Sequence, residues 1–308
     1  MLNNLPKKVT IVEVGPRDGL QNEEIFVSTE NKIEFINKLS ESGISKIEIT
    51  SFVHPKWTPQ LSDSLEVAKR IKRKSNVEYT ALLPNLKGLE KAIDSGLKEV
   101  AVFMSSSESH NKKNLNRTIS ESLKNIEEVV NVAKKNNINV RAYLSTVFGC
   151  PYEGYINFNS VKEIVLKLLD LGVYQVSLGD TIGIANPKQV RDFLNVLFED
   201  IKEKNKLALH FHDTRGMALA NSLIGLDMGI TTFDSSLGGL GGCPYAPGAT
   251  GNVATEDLVN MLHSMGIETG INLDKLVEIN RFMEKVLGRV LPSKYSKTIN
   301  ATKRTNLN

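Results

Sequence analysis

The sequence has little of several features that mark whole classes of protein. Its 308 residues include only two cysteines, too few for a disulfide framework and typical of a reducing compartment. No run is long and apolar enough to predict a membrane span, and the first residues resemble neither a signal peptide nor a transit peptide. We therefore expect a cytoplasmic protein that acts away from membranes.

An excess of charge of one sign is also absent. The 38 basic and 35 acidic residues leave a net charge of +3, which gives no general case for binding nucleic acid or a membrane surface. Hydrophobic residues make up 41% of the chain, enough for a substantial core. Residues 293–308 are rich in Lys, Ser, Thr and Asn, and predict a polar, mobile tail behind a single domain over residues 1–292.

Short apolar segments rich in β-branched residues alternate with amphipathic segments at helical spacing. Strands are predicted at 9–14, 46–52, 78–83, 99–104, 139–147, 174–179, 207–212 and 231–236. Helices are predicted at about 29–42, 61–74, 86–95, 119–136, 160–171, 188–204 and 216–228, with added helices near 255–265 and 273–287. Four helices end at a glycine that leads into the next strand, as a C-terminal cap would: Gly43, Gly96, Gly172 and Gly229.

This alternation predicts an α/β fold, a (β/α)8 TIM barrel with extra C-terminal helices. A doubly wound open sheet is the alternative, and it is less favoured because no Gly-x-Gly-x-x-Gly follows the first strand. In such a barrel the active site lies at the C-terminal ends of the strands. The polar residues at those ends should therefore make chemical sense together.

Two histidines lie on one face of the seventh predicted strand. His210 and His212 are two residues apart, so their side chains point the same way, although such a pair is often an ordinary part of a barrel interior. Asp18, after strand one, and Asn252, after strand eight, could complete a ligand set of nitrogen and oxygen atoms without thiolate. That set fits Mg²⁺ or Mn²⁺, while ligand type alone does not exclude zinc, cobalt or iron.

Other polar residues follow or interrupt the strands. Arg17, beside Asp18 in a glycine-flanked loop, belongs either to a surface turn with a local ion pair or to a site. Glu48 lies inside an apolar strand, where a carboxylate is costly unless it is paired or functional, and Asp180 ends strand six. The glycine-rich loop 238–252 carries Cys243, which favours a mobile lid over the barrel mouth rather than a plain linker.

With these segments together, the chain resembles the 3-hydroxy-3-methylglutaryl-CoA (HMG-CoA) lyase family of metal-dependent TIM-barrel enzymes, which are related to isopropylmalate and homocitrate synthases. The resemblance extends from about Val9 to Leu291 and rests on separate motifs at 12–23, 50–60, 149–154, 177–183, 210–218 and 238–252. The Gly-Pro-Arg-Asp-Gly form at 15–19 and the cysteine in the last loop favour the lyase over the condensing synthases, which share the metal site.

The resemblance implies metal-assisted, retro-Claisen cleavage of HMG-CoA to acetyl-CoA and acetoacetate, a reaction of leucine degradation and ketone-body formation. It implies that Arg17 stabilises the enolate, that Cys243 protonates the carbanion, and that Glu48 and Asp180 orient Arg17 or the substrate. The base stays open between Asp18, a water on the metal and a histidine ligand. The metal, Mg²⁺ or Mn²⁺, would be held by Asp18, His210, His212 and Asn252.

Five residues are candidates for binding the acyl-CoA substrate: Arg17, which is also a catalytic candidate, Gln21, Arg141, Lys112 and Lys113. Lys112 and Lys113 follow strand four, and they either bind CoA phosphates or remain solvated. Arg141, on strand five, either reaches the pocket or pairs with a carboxylate at the barrel mouth. Family members are commonly homodimers, and we expect the same here.

Three other functions compete with the HMG-CoA lyase. A condensing acyltransferase would join acetyl-CoA to a 2-oxo acid, but such enzymes often carry a regulatory domain, for which the residues after Asn252 are too few. A lyase for a related short acyl-CoA cannot be separated by sequence. A non-catalytic barrel that serves as a binding module is disfavoured, because every ligand type is present together with Arg17 and Cys243.

Overall fold

The computed structural model describes residues 5–242 and 251–305, and these form a closed barrel of eight parallel strands in chain order. Each strand pairs with the next and β1 pairs with β8, which confirms the predicted TIM barrel. All eight predicted strands are present, each within two residues of its expected bounds. They are β1 (Thr10–Glu13), β2 (Lys46–Ser51), β3 (Glu78–Leu82), β4 (Glu99–Ser105), β5 (Asn139–Ser145), β6 (Gln175–Asp180), β7 (Leu207–Phe211) and β8 (Thr232–Ser235).

Eleven α-helices lie among the described residues. They are α1 (Thr29–Glu41), α2 (Ser64–Arg70), α3 (Leu86–Asp94), α4 (Glu108–Leu115), α5 (Ile119–Lys135), α6 (Phe158–Asp170), α7 (Pro187–Phe198), α8 (Ala218–Asp227), α9 (Thr255–Ser264), α10 (Leu273–Leu287) and α11 (Lys294–Thr305). Sequence analysis missed α4, whose residues are mostly polar and show no apolar stripe. The helix forms because Ser107 caps it, its side chain accepting from His110 N.

Local signals explain how the helices begin and end. Ser28 caps α1 by accepting from Asn31 N, and Phe35 and Leu39 bury one face of the helix against the barrel. The four glycines predicted to end helices all adopt positive φ. At Gly43, with φ of 92°, a Cβ would lie 2.1 Å from the carbonyl oxygen of Gly270, so no other residue fits there.

Buried ion pairs fill part of the barrel interior. Near the N-terminal ends of the strands, Lys46 Nζ lies 2.6 Å from Glu99 Oε2 and also contacts the Tyr174 hydroxyl. Further along the barrel, Arg141 Nη2 lies 2.7 Å from Asp234 Oδ1, and both side chains have no exposed surface. Charges this deeply buried are tolerated only in pairs, so these contacts fix which strand residues face inward.

The expectation of a mobile tail from residue 293 was wrong over Lys294–Thr305, which form α11. The Asp257 carboxylate accepts from Ser293 Oγ at 2.9 Å, Lys294 N at 3.0 Å and Tyr295 N at 2.8 Å, and so caps the first turn. The polar composition of this segment suggested disorder, because the acceptor that caps the helix lies on a different helix and is not part of the segment itself. Within the described ranges, no helix is both long and apolar enough to cross a membrane.

Candidate active site

The C-terminal end of the barrel brings Asp18, His210 and His212 together. His210 lies in β7 and His212 follows it, with ring centroids 5.3 Å apart, which confirms the shared face. Asp18 is carried by a π-helical turn, Gly15–Gly19, directly after β1. One ligand atom from each of the three side chains lies within 4.8 Å of the others.

Asn252 joins this group from the segment that precedes α9. Its backbone pairs with that of His212, and its Nδ2 lies 2.8 Å from Asp18 Oδ2. Its Oδ1 is buried and accepts no hydrogen bond from the described residues. Gly241, with φ of 116°, makes this approach possible, since a Cβ there would lie 2.8 Å from Asn252 Nδ2.

This donor set fits a divalent cation. One carboxylate and two imidazoles converge, and beside them lies Asn252, whose amide nitrogen contacts Asp18 and whose buried amide oxygen has no hydrogen-bond partner among the described residues. None of the four side chains is a thiolate. A buried polar atom without a hydrogen bond is costly, and a cation would satisfy it. Oxygen and imidazole ligands suit Mg²⁺ and Mn²⁺, as well as other first-row divalent ions.

Electrostatics favours the metal-binding protonation states of Asp18 and His212, but not that of His210. Burial lowers the pKa of His210, but the carboxylates of Asp234 on β8 and of Asp18 outweigh burial and raise this pKa. Burial opposes ionisation of Asp18, but the charges of Arg17 and the two histidines outweigh it and hold the pKa of the carboxyl well below its usual range. Burial, together with the neighbouring His210, lowers the pKa of His212 to about 4. A neutral imidazole and an ionised carboxylate are the protonation states that bind metals.

Arg17 lies beside the cation site and is held by Glu48. Its Nε donates to Glu48 Oε2, its Nη1 lies 2.5 Å from Asp18 Oδ1, and its guanidinium carbon is 5.3 Å from the Tyr143 ring centroid. Burial raises the pKa of Glu48, although the adjacent Arg17 charge opposes this. The surface-turn interpretation of Arg17 does not hold, because only 7% of its side chain is exposed.

Asp180 lies at the end of β6, as predicted, but is not among the residues that line the cavity. Its two oxygens accept from Ile184 N at 3.0 Å and Ala185 N at 3.1 Å. Burial raises its pKa to about 6, although these two hydrogen bonds lower it. The carboxylate therefore shapes the loop after β6, and its neighbours Gly179 and Thr181 reach the cavity.

A cavity of about 720 Å³ opens from the cation site toward the loops after β2, β3 and β4. This volume is in the range of small-molecule sites. Gln21 and Lys113 line it as predicted, whereas Lys112 is exposed and does not. Sequence analysis missed three further cations at the rim, which had looked like ordinary surface residues: Lys87, Lys91 and Arg117.

Arg141 does not line the cavity but pairs with a carboxylate, which is the second of the two alternatives predicted for it. That carboxylate belongs to Asp234 on β8, which also lies 3.3 Å from Nδ1 of His210. Sequence analysis missed Asp234, although the signal that singled out Glu48, an acidic residue inside an apolar strand, was present there too. Cys243 and most of the predicted lid, residues 243–250, lie outside the described residues.

Comparison with known proteins shows the family of the chain. A family model described as HMGL-like matches residues 8–283. The hydroxymethylglutaryl-CoA lyase YngG of Bacillus subtilis is 56% identical over 289 residues, which cover 94% of this chain and 96% of the relative. The human mitochondrial hydroxymethylglutaryl-CoA lyase is 50% identical over 293 residues, 95% of this chain and 90% of the relative.

Solved structures are equally similar. The B. subtilis HMG-CoA lyase superposes with a TM-score of 0.95 at 54% identity, covering 96% of this chain and 99% of its own. An HMG-CoA lyase from Acinetobacter baumannii in complex with coenzyme A and 3-methylmalate gives 0.90 at 42% identity, covering 94% and 95%. The resemblance inferred from the motifs is thus confirmed, and the chain belongs to the HMGL-like family, together with the HMG-CoA lyases.

Proposed function

We propose that this protein cleaves 3-hydroxy-3-methylglutaryl-CoA to acetyl-CoA and acetoacetate, with Mg²⁺ or Mn²⁺ as its cofactor. The observation that carries the proposal is the placement of Arg17 against the Asp18, His210, His212 and Asn252 group inside one cavity. The names and the 50–56% identity of the relatives support the choice of substrate.

A divalent cation bound by these four residues would supply Lewis-acid polarisation of substrate oxygens and fix their geometry. The chain itself supplies a permanent positive charge through Arg17. In the cleavage a base, with Asp18 and the two histidines among the candidates, takes the proton of the tertiary hydroxyl, whose oxygen becomes the ketone oxygen of acetoacetate as the C–C bond breaks. The electron pair of that bond passes to the thioester, so negative charge develops on the thioester oxygen. A guanidinium held in place before the reaction stabilises that charge without reorganisation.

Glu48 and Asp180 have supporting roles in this proposal. Glu48 fixes the orientation of Arg17 through Nε, Asp18 contacts its Nη1, and Arg17 lines the cavity. Asp180 holds the backbone of the loop after β6 through Ile184 and Ala185. Neither carboxylate needs to contact the substrate to affect the rate, since misplacement of a catalytic group by about 1 Å can cost roughly 100-fold.

Cys243 remains the proposed proton donor to the carbanion carbon, which would become the methyl group of acetyl-CoA. It follows Gly242, which lines the cavity. Replacing its thiol with the much less acidic hydroxyl in Cys243→Ser should lower kcat with little change in metal affinity.

Lys113, together with Lys87, Lys91 and Arg117, is proposed to bind the phosphates of the CoA moiety at the cavity rim. The nucleotide part of CoA carries several negative charges, and cations at a cavity mouth raise the local concentration of such a ligand. Gln21 is proposed to contact the acyl or pantetheine part from the loop after β1.

The decisive experiment follows acetoacetate release from HMG-CoA by metal-stripped protein, with and without added Mg²⁺ or Mn²⁺. Metal-dependent release would establish the lyase. Folded protein that is silent with both metals would refute the substrate assignment, and assays of other acyl-CoAs, and of acetyl-CoA with 2-oxo acids, would then test the related lyase and the acyltransferase. The homodimer and the cytoplasmic location are also proposed, and light scattering and cell fractionation would test them.

A further inference from the structure

Four adjacent strands each contribute one residue to a polar network beneath the cation site. Asp234 of β8 lies at its centre with no exposed side-chain surface. Its Oδ1 accepts from Arg141 Nη2 of β5 at 2.7 Å, and its Oδ2 accepts from Ser177 Oγ of β6 at 2.6 Å. The same Oδ2 lies 3.3 Å from Nδ1 of His210 in β7.

The two ring nitrogens of His210 have different surroundings. A carboxylate beside Nδ1 favours a proton on that nitrogen, which leaves the lone pair on Nε2. Nε2 is the nitrogen on the Asp18 side, 4.0 Å from Asp18 Oδ2. A histidine ligates a metal only through a nitrogen without a proton, so this tautomer is the one that can bind a cation there.

Arg141 and Ser177 fix the carboxylate in turn. Two donors from two strands occupy both oxygens of Asp234, so the group has little freedom to rotate away from His210. Neither Nδ1 makes a hydrogen bond of good geometry among the described residues, but Nδ1 of His210 has the Asp234 carboxylate 3.3 Å away, whereas no ion pair of His212 is found there. The two histidines are therefore not equivalent, and only His210 has a carboxylate beside its second nitrogen.

We propose that Asp234 is a positioning residue of the metal site, which holds His210 with Nδ1 protonated and Nε2 toward the cation, while Arg141 and Ser177 hold Asp234. The proposal rests on the cation site of the proposed function and adds the residue that orients one of its ligands. Asp234 does not contact the substrate in this scheme, and it acts only through His210.

Isothermal titration of the metal-free full-length protein with MnCl₂ tests this without any assay of activity. Asp234→Asn should weaken Mn²⁺ binding about 10- to 100-fold, the usual effect of losing a group that orients a histidine ligand. Ser177→Ala removes one of the bonds that hold the carboxylate, keeps its charge, and should weaken binding by less than about 10-fold.

Glu99→Gln is the matched control, because it breaks the other buried ion pair of the barrel interior, with Lys46, without touching His210. It should lower the melting temperature and leave Mn²⁺ affinity as in the wild type. If Asp234→Asn and Ser177→Ala bind Mn²⁺ as tightly as Glu99→Gln does, the proposal is overturned. If the wild type itself binds no Mn²⁺, the metal site of the proposed function fails instead.

A spectroscopic measurement covers the case in which Asp234→Asn does not fold. ¹⁵N spectra of histidine-labelled, Mg²⁺-loaded wild-type protein report which nitrogen of each ring carries the proton, and the His210 signals are identified by their loss in His210→Gln. We expect His210 to be protonated on Nδ1. A proton on Nε2 would refute the role of Asp234 irrespective of any variant.

Discussion

The guanidinium of Arg17 donates through Nε to Oε2 of Glu48, a carboxylate with no exposed surface. The same guanidinium contacts Asp18 through Nη1, so Arg17 bridges a buried residue of β2 and one of the candidate cation ligands. This geometry links the residue expected to stabilise charge with a buried carboxylate that we expect to act through it. The two roles can be separated by mutation.

Arg17→Gln should lower kcat for HMG-CoA cleavage by at least about 100- to 1,000-fold, because it removes the charge that faces the developing enolate. Arg17→Lys should recover part of the rate, since it keeps the charge but not the planar donor geometry. Steady-state acetoacetate release measures both. Circular dichroism of both variants is the control for folding. A kcat within threefold of the wild type would contradict the role of Arg17.

Glu48→Gln should lower kcat less than Arg17→Gln, because Arg17 keeps its charge and loses only its partner. If Glu48 acts through Arg17, the double variant should be no slower than Arg17→Gln alone. A full double-mutant cycle on kcat, with folding followed by circular dichroism, gives this comparison. Fully additive losses would show that Glu48 acts on the reaction independently of Arg17.

Lys113→Ala should raise KM for HMG-CoA about 3- to 10-fold, the effect of about 1 kcal/mol from one cation at a partly exposed rim. Lys112→Ala is a closely matched control, since this neighbouring lysine does not line the cavity. The chain has one tryptophan, Trp57, which lines the same cavity and is 84% exposed, so its fluorescence can report CoA binding directly. Equal effects of the two substitutions would contradict the proposed phosphate contact.

Two buried glutamates should make stability depend on pH. Glu13 accepts from Gly15 N and Leu237 N at 2.8 Å, and burial nevertheless raises its pKa to about 7, as it does for Glu256. A carboxyl whose pKa is raised on folding contributes its full stability when the pH is below its pKa in the unfolded chain, near 4.5. That contribution is lost as the pH rises through its pKa in the folded protein, about 7. The loss is on the order of 3 kcal/mol for each group.

Glu13→Gln keeps the shape of the side chain and cannot ionise. Its free energy of unfolding relative to the wild type should therefore increase between pH 5 and pH 8, as measured by urea unfolding across that range. Glu34→Gln, at an exposed position on α1 that pairs with Lys38, serves as the control. If the difference in free energy of unfolding between Glu13→Gln and the wild type is constant with pH, the wild-type carboxyl does not take up a proton on folding.

The sequence was sufficient for the barrel and for bringing the candidate cation ligands together. Strand periodicity predicted β1 to β8 because apolar runs bounded by turns are local signals, and the motif positions predicted that Asp18, His210, His212 and Asn252 lie at the same end of the barrel, where the structure has them. Asp234 carries the same local signal as Glu48, an acidic residue inside an apolar strand, but its partners could not be predicted because they come from three other strands, each distant in sequence. Long-range pairing of this kind leaves no periodic pattern in the chain.

The rim of the cavity shows the same limit. Lys113 and Lys112 are equivalent in sequence, and only the direction of successive residues on α4, a helix that the sequence did not predict, separates them. Lys87 and Lys91 lie one helical turn apart in α3, where their spacing is typical of any solvated face. Both lysines reach the cavity because the barrel is closed, and no local sequence pattern predicts this position.

Asp257 should prove to be the residue that keeps α11 in place. Its carboxylate accepts three hydrogen bonds from residues 293–295, so Asp257→Ala should lower the free energy of unfolding by about 1–2 kcal/mol, as loss of an N-terminal cap does. Asp274→Ala, an exposed acidic residue in the first turn of α10, is the control. Limited trypsin digestion should then cleave at Lys294 and Lys297 faster in Asp257→Ala than in either Asp274→Ala or the wild type, because a frayed helix exposes these bonds. Equal cleavage in all three proteins would mean that α11 is held by its other contacts, chief among them the bond from Ser296 to Glu256.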